Sequence, residues 1–113
     1  MLTRYAVFEG AVHDGHADAF RRDVLAEMLP VWQRFPGALA IRVTFAESRD
    51  DGAPEYPLIL AIDWPDMATV DAFLAHPIRM EGRAATEAVL ARHFTGRIHH
   101  HVTTTHNALP VGV

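Results

Sequence analysis

The sequence predicts an α+β domain with the element order β-α-β-β-α-β, and three observations carry this. Four segments alternate apolar and polar residues at the period of a strand. Two longer segments repeat their apolar residues close to every 3.6 positions, as amphipathic helices do. The order of these segments is the split β-α-β pattern of ferredoxin-like folds. The expected result is a four-stranded antiparallel sheet with its helices on one face. A length of 113 residues leaves room for one domain, 1–113, with 106–113 as a C-terminal tail.

The first strand is read over Leu2–Val12, where Leu2, Ala6, Phe8 and Val12 alternate with Thr3, Tyr5, Val7, Glu9 and Ala11. His13-Asp14-Gly15-His16 is a turn, with Asp14 placed to cap the following helix. That helix is read over Ala17–Phe35, burying Phe20, Val24, Met28, Val31, Trp32 and Phe35. Pro30 conflicts with it, because proline lacks an amide donor and clashes with the preceding turn. A kink near Ala26–Leu29, or two helical pieces, is therefore expected, and Pro36-Gly37 ends the element.

The second strand is read over Ala38–Glu47. Leu39, Ile41, Val43 and Phe45 point one way, and Ala40, Arg42, Thr44 and Ala46 the other. Ser48–Pro57 is polar and turn-rich, hence an exposed hairpin loop. The third strand, Leu58–Trp64, places Asp63 opposite Leu58, Leu60, Ile62 and Trp64. Asp66 is the N-cap of a second helical region that buries Val70, Phe73 and Leu74. His76-Pro77 interrupts it, since a residue before proline leaves the helical region. A further helix runs over Ile78–His93, Thr95-Gly96 turns the chain, and Arg97–Thr105 is the last strand.

Composition narrows the possible functions. Half the residues are hydrophobic and about a fifth charged, as in ordinary globular domains. The net charge of -4 is spread along the chain with no basic stripe, which argues against a nucleic-acid partner. No apolar run approaches the roughly 18 residues of a membrane span. The N-terminal MLTRYAVFEGAV lacks the features of a secretory signal, so a cytoplasmic location is the default expectation. Cysteine is absent, which removes disulfides, thiolate metal sites and cysteine nucleophiles together. No phosphate-cradling or dinucleotide-binding glycine loop is present, and no cofactor is expected.

Two features together resemble a known group. One is the split pattern with a long first helix ending in Phe35-Pro36-Gly37; the other is the string Val70-Asp71-Ala72-Phe73-Leu74-Ala75-His76-Pro77 after the third strand. The chain resembles the dimeric α/β-barrel superfamily, especially its stress-responsive barrel domains and EthD-like members. That resemblance implies a homodimer whose two sheets pack face to face into one barrel. It also implies a small pocket in each protomer, inside the barrel or between sheet and helices. Members of the group include cofactor-free monooxygenases, polyketide cyclases and haem-degrading enzymes. The plant cyclases among them pair a tyrosine three residues before the motif histidine with a histidine two residues after the proline. Phe73 and Arg79 stand there in this chain, so that acid–base pair does not carry over.

If the strongly apolar face of the sheet meets the helices, the other carries Tyr5, Glu9, Arg42, Thr44, Asp63, His99 and His101. Imidazole suits proton transfer near neutral pH, which makes His99 and His101 the candidate bases. Asp63 or Glu9 would orient them, and Arg42 would hold an anionic group. Tyr5, Glu9, Arg42, Thr44 and His76 are the candidate ligand-binding residues. A structural explanation competes and is the stronger expectation: Arg42, Asp63 and Glu9 pair across a dimer interface, where buried charge needs a partner. The His-x-His spacing of His99 and His101 is metal-compatible with Glu9 or Asp63 as a third ligand, but spacing alone assigns no metal. His13 and His16 flank a turn and are expected in solvent, and His76 is expected to cap the carbonyls of the preceding helix end.

Two functions fit. One is a dimeric protein that binds a small organic molecule in a polar-lined pocket, as a cofactor-free catabolic or biosynthetic enzyme. The alternative is a non-enzymatic dimeric ligand-binding or accessory module. A cavity of a few hundred Å³ with convergent polar groups would favour the first.

Overall fold

In the computed structural model, residues 1–108 are described; of the expected tail, residues 109–113 lie outside them. β1 (Leu2–Val12) turns into α1 (Ala17–Asp23), which continues as a π-helical stretch (Val24–Met28) and α2 (Leu29–Trp32). β2 (Ala40–Phe45) and β3 (Leu58–Trp64) follow, then α3 (Met67–Leu74), α4 (Ile78–His93) and β4 (Phe94–Thr104). The strands lie in the order β2-β3-β1-β4, each antiparallel to its neighbours. This is the ferredoxin-like arrangement expected from the order of elements.

The interruption expected at Pro30 is present and has a definite form. Leu29 N–H reaches back five residues to Val24 O, so one wide turn precedes the proline instead of a broken helix. Phe20, Val24, Met28 and Trp32 are all buried through this change of pitch. Asp66 caps α3 as expected, accepting from Thr69 N–H and Oγ1–H, both at 2.8 Å. Asp14 does not cap α1: His16 occupies that position, without a side-chain cap bond.

The expected turn at Thr95-Gly96 is absent. The chain passes from α4 straight into β4, because Phe94 inserts beside Phe8 and Phe20 in the core. Gly96 is instead a close-approach residue, opposite Gly10 in the β1–β4 ladder. A β-carbon on Gly96 would lie 2.2 Å from Glu9 O, and one on Gly10 2.2 Å from Thr95 O.

Directly opposed residues of antiparallel strands share a face, so the register settles both sides of the sheet. Ala6, Phe8, Leu58, Leu60, Ile62 and Trp64 form the core with the helices. Leu39, expected beside them, precedes β2 and is 59% exposed. The other face, which no helix covers, carries the row Arg42–Ala61–Tyr5–His101 and, beside it, Thr44–Ile59–Val7–His99.

Candidate functional site

On the uncovered face the register divides the expected constellation into two groups. Arg42 and His101 stand at opposite ends of one row, three strand spacings or roughly 14 Å apart. At the β2–β3 end, Asp63 Oδ2 and Oδ1 accept from Arg42 at 2.7 and 2.8 Å, and Thr3 Oγ1 donates to Oδ1 at 2.8 Å. These bonds, Arg42's first, hold the Asp63 carboxyl below its ordinary value, and Asp63 in turn raises Arg42. Thr44 is committed to Ile59 O at 2.7 Å. Tyr5 sits between Ala61 and His101.

At the β1–β4 end, His99 Nε2–H donates to Glu9 Oε1 at 3.0 Å, and 2.7 Å separates His99 Nδ1 from His101 Nε2. A neutral His99 bonded in this way must accept from His101 at Nδ1, so the carboxylate sets both tautomers. Of the two carboxylates considered for this role, Glu9 is the one in place. Burial raises Glu9, but the bond from His99 and the charge of Arg97 outweigh it and hold the carboxyl below its usual range. Tyr56 from the β2–β3 loop stands edge-on to His99, with ring centroids 6.0 Å apart.

The opposite face holds a second site that alternation alone did not single out. Between the sheet, α2 and α4 lies a cleft of about 420 Å³. Phe8, Trp32, Phe35 and Phe73 form its apolar wall; Arg4, Arg79 and His100 bring polar groups to it. The β4 alternation that sends His99 and His101 outward turns His100 inward, opposite Ala6. His100 stays open to solvent on one side; its partial burial, then the charges of Arg4 and Arg79, then His99 and His101, push its pKa down to about 4. Its ring is therefore neutral near pH 7 and can accept a hydrogen bond or a proton. Burial and Arg79 also lower Arg4. Arg4 was legible as a signal, since an arginine on the apolar alternation of Ala6 and Phe8 lies against the helices. Nothing in the local pattern identified Arg79, which the His76-Pro77 break brings to the start of α4.

Two other histidines differ from expectation. His76 Nδ1 accepts from Ile78 N–H at 3.0 Å, so it caps the start of α4 rather than the end of α3. Arg79 takes the freed Leu74 carbonyl instead, through a long bond of 3.4 Å. His16 is not solvated: it bonds His93 Nδ1 to Nδ1 at 2.9 Å, and buried His93 donates through Nε2 to Asp23 at 2.7 Å. This chain joins α1 to α4. His13 is exposed and meets Thr95 Oγ1 at 2.8 Å. Among the described residues, no three of His, Cys, Asp or Glu stand together as metal ligands, and no helix is long and apolar enough to cross a membrane.

The molecule is thus a ferredoxin-like domain with a ligand-sized cleft between sheet and helices. No protein-family model matches the chain, and no curated protein matches it in sequence. Its fold does match solved structures. An EthD-family protein from Bacillus halodurans is 16% identical with a TM-score of 0.67, over 94% of this chain and 99% of that one. SnoaB, a cofactor-independent oxygenase from Streptomyces nogalater, is 21% identical with a TM-score of 0.62, over 96% of each chain. A dimeric ferredoxin-like protein of unknown function from Jannaschia sp. is 18% identical with a TM-score of 0.62, over 92% of this chain and 98% of that one. These neighbours are of the kind the sequence resemblance indicated, and at such identities the likeness is one of fold.

Proposed function

We propose that this protein is a homodimer that takes a small organic molecule into the cleft between sheet and α4 and acts on it without a cofactor. The observation that carries the reading is the cleft of about 420 Å³, where an aromatic wall faces Arg4, Arg79 and a neutral His100. Small-molecule sites have this size and this mixture of apolar wall and few convergent polar groups. His100 is the base of this reading, which makes proton transfer the chemistry the site is suited to. The fold shared with an EthD-family protein and a cofactor-independent oxygenase supports it. Glu9, His99 and His101, on the other face, are a second proton-carrying group and would meet the partner's sheet in the dimer.

The dimer is supported by the helix-free face and by neighbours described as dimeric. Apolar area is a weaker argument for it, because Val7 and Ala61 are already buried within one chain. Sedimentation at low micromolar concentration is expected to give twice the 12.6 kDa chain mass; a stable monomer would remove the dimer from the reading.

The cleft is tested by amide NMR with a set of small aromatic and alicyclic molecules. Binding is expected to shift the amides of Phe8, Gly82, Thr86 and Ile98 and leave those of Thr44 and Ile59 in place. Shifts confined to the uncovered face would move the site there. Binding with no change in the bound molecule after long incubation would favour the non-enzymatic role.

A further inference from the structure

We infer that the ligand of this cleft is an organic carboxylate, its flat apolar body against the aromatic wall and its carboxylate clasped between Arg4 and Arg79. The inference rests on the cleft being the ligand site and adds the chemical class that the site selects.

The chain has ten basic residues, all of them arginine. Among the described residues, every arginine but two lies against a carboxylate, the longest such contact being Arg49–Glu55 at 3.7 Å. The two without an acidic partner are Arg4 and Arg79, and both line this cleft. Chance exposure does not explain Arg4, which is partly buried and whose charge is disfavoured by its surroundings and by Arg79. Two like charges brought together at a partly desolvated site cost free energy unless a counter-charge arrives. The described residues supply none. Glu87, the carboxylate of the cleft lining, is held by Arg83 at 3.0 Å, and Arg97 at the rim is held by Glu9 at 3.3 Å.

A carboxylate satisfies this geometry, because each guanidinium offers paired donors that match its two oxygens. Phe8, Trp32, Phe35 and Phe73 then select for the rest of the molecule, favouring a flat apolar body over a sugar or a polyol. His100 would feel the ligand directly. Arg4 from β1 and Arg79 from α4 share the cleft with it, as do Arg83 and Glu87 of α4, while His99 and His101 act on it from the opposite face of its own strand. A bound anion offsets the two arginines and returns the His100 pKa towards its ordinary value, making it a stronger base only when the ligand is present.

The test compares a series of carboxylates from benzoate to 2-naphthoate with their amides, using the whole chain at pH 7. Cleft amides at Gly82 and Thr86 report where each molecule binds, and the imidazole signals of His100 report its pKa. The best carboxylate is expected to bind at least roughly tenfold tighter than its amide, and to raise the His100 pKa. Arg79→Gln is expected to remove most of that preference, because it weakens the carboxylate far more than the amide. Arg79 is exposed, so this variant will fold even if Arg4→Gln does not. Amides that bind in the cleft as tightly as their carboxylates would overturn the carboxylate inference and leave the cleft standing. No shift at the cleft with any member would overturn both.

Discussion

Arg42 and Asp63 form a two-pronged ion pair, at 2.7 and 2.8 Å, that ties edge strand β2 to β3. Asp63 is buried and Arg42 half-exposed, with side-chain exposures of 7% and 48%. Removing the arginine strands a buried carboxylate on Thr3 alone. Arg42→Ala is expected to cost about 1–2 kcal/mol at pH 7, below the usual figure for a fully buried pair because Arg42 is partly solvated. The urea midpoint checks this. Folded Asp63 is more acidic than in the unfolded chain, so the unfolded chain takes up the proton first as pH falls. The pair's contribution is whole above roughly pH 4, the unfolded value, and is lost as pH falls through the lower folded value. The gap between wild type and Arg42→Ala should close over that range.

Gly96 and Gly10 face each other across the β1–β4 ladder, and neither leaves room for a side chain. Their φ angles, +159° and +152°, are also ones that other residues adopt at a cost. Gly96→Ala is expected to lose at least about 2 kcal/mol from backbone strain, before the strands part to admit the methyl group. A thermal melt would show it, whereas Gly15→Ala has open space around the new atom and should suffer from φ strain only.

His100 sets a second pH dependence, of opposite chemical origin. Its folded pKa of about 4 lies below the ordinary 6.5, so the unfolded chain binds more protons between those values. Stability should therefore fall as pH drops from about 6.5 towards 4. His100→Asn should flatten this part of the profile relative to wild type. Arg79→Gln, measured by histidine NMR, should raise the His100 pKa without moving the strand.

His76 closes the short gap between α3 and α4 by accepting from Ile78 N–H. His76→Ala leaves that amide without its side-chain acceptor, a loss comparable to deleting a capping side chain, and is expected to cost about 1 kcal/mol. His76→Asn, which keeps an acceptor on a shorter side chain, should restore part of the loss. Equal urea midpoints for wild type and His76→Ala would show that the cap contributes nothing.

The fold was legible because strand and helix periods are local properties. Alternation in Ile41–Phe45 and Leu58–Trp64, and the stripe Phe20, Val24, Met28 and Trp32, name their own elements and buried faces. Where two local signals competed, packing decided. Thr95-Gly96 has turn composition, but Phe94 gains more by entering the core beside Phe8 and Phe20 than a turn would allow. The shared face of His99 and His101 was likewise readable from alternation, whereas which carboxylate stands beside them was not.

What the chain's sequence determined by itself is the order of elements, the interruption at Pro30 and the two faces of the sheet, since each follows from spacing along one segment. What only the tertiary structure decided is which charged groups meet. Strand order places Arg42 and Asp63 three and two strands from the histidines, while β1 and β4, at opposite ends of the chain, bring Glu9 to His99. The same closure, with α4 laid across it, gathers Arg4, Arg79 and His100 around one cleft. Contacts between residues far apart in sequence depend on register and helix placement, and these are set by the packing of the whole domain rather than by any segment's own pattern.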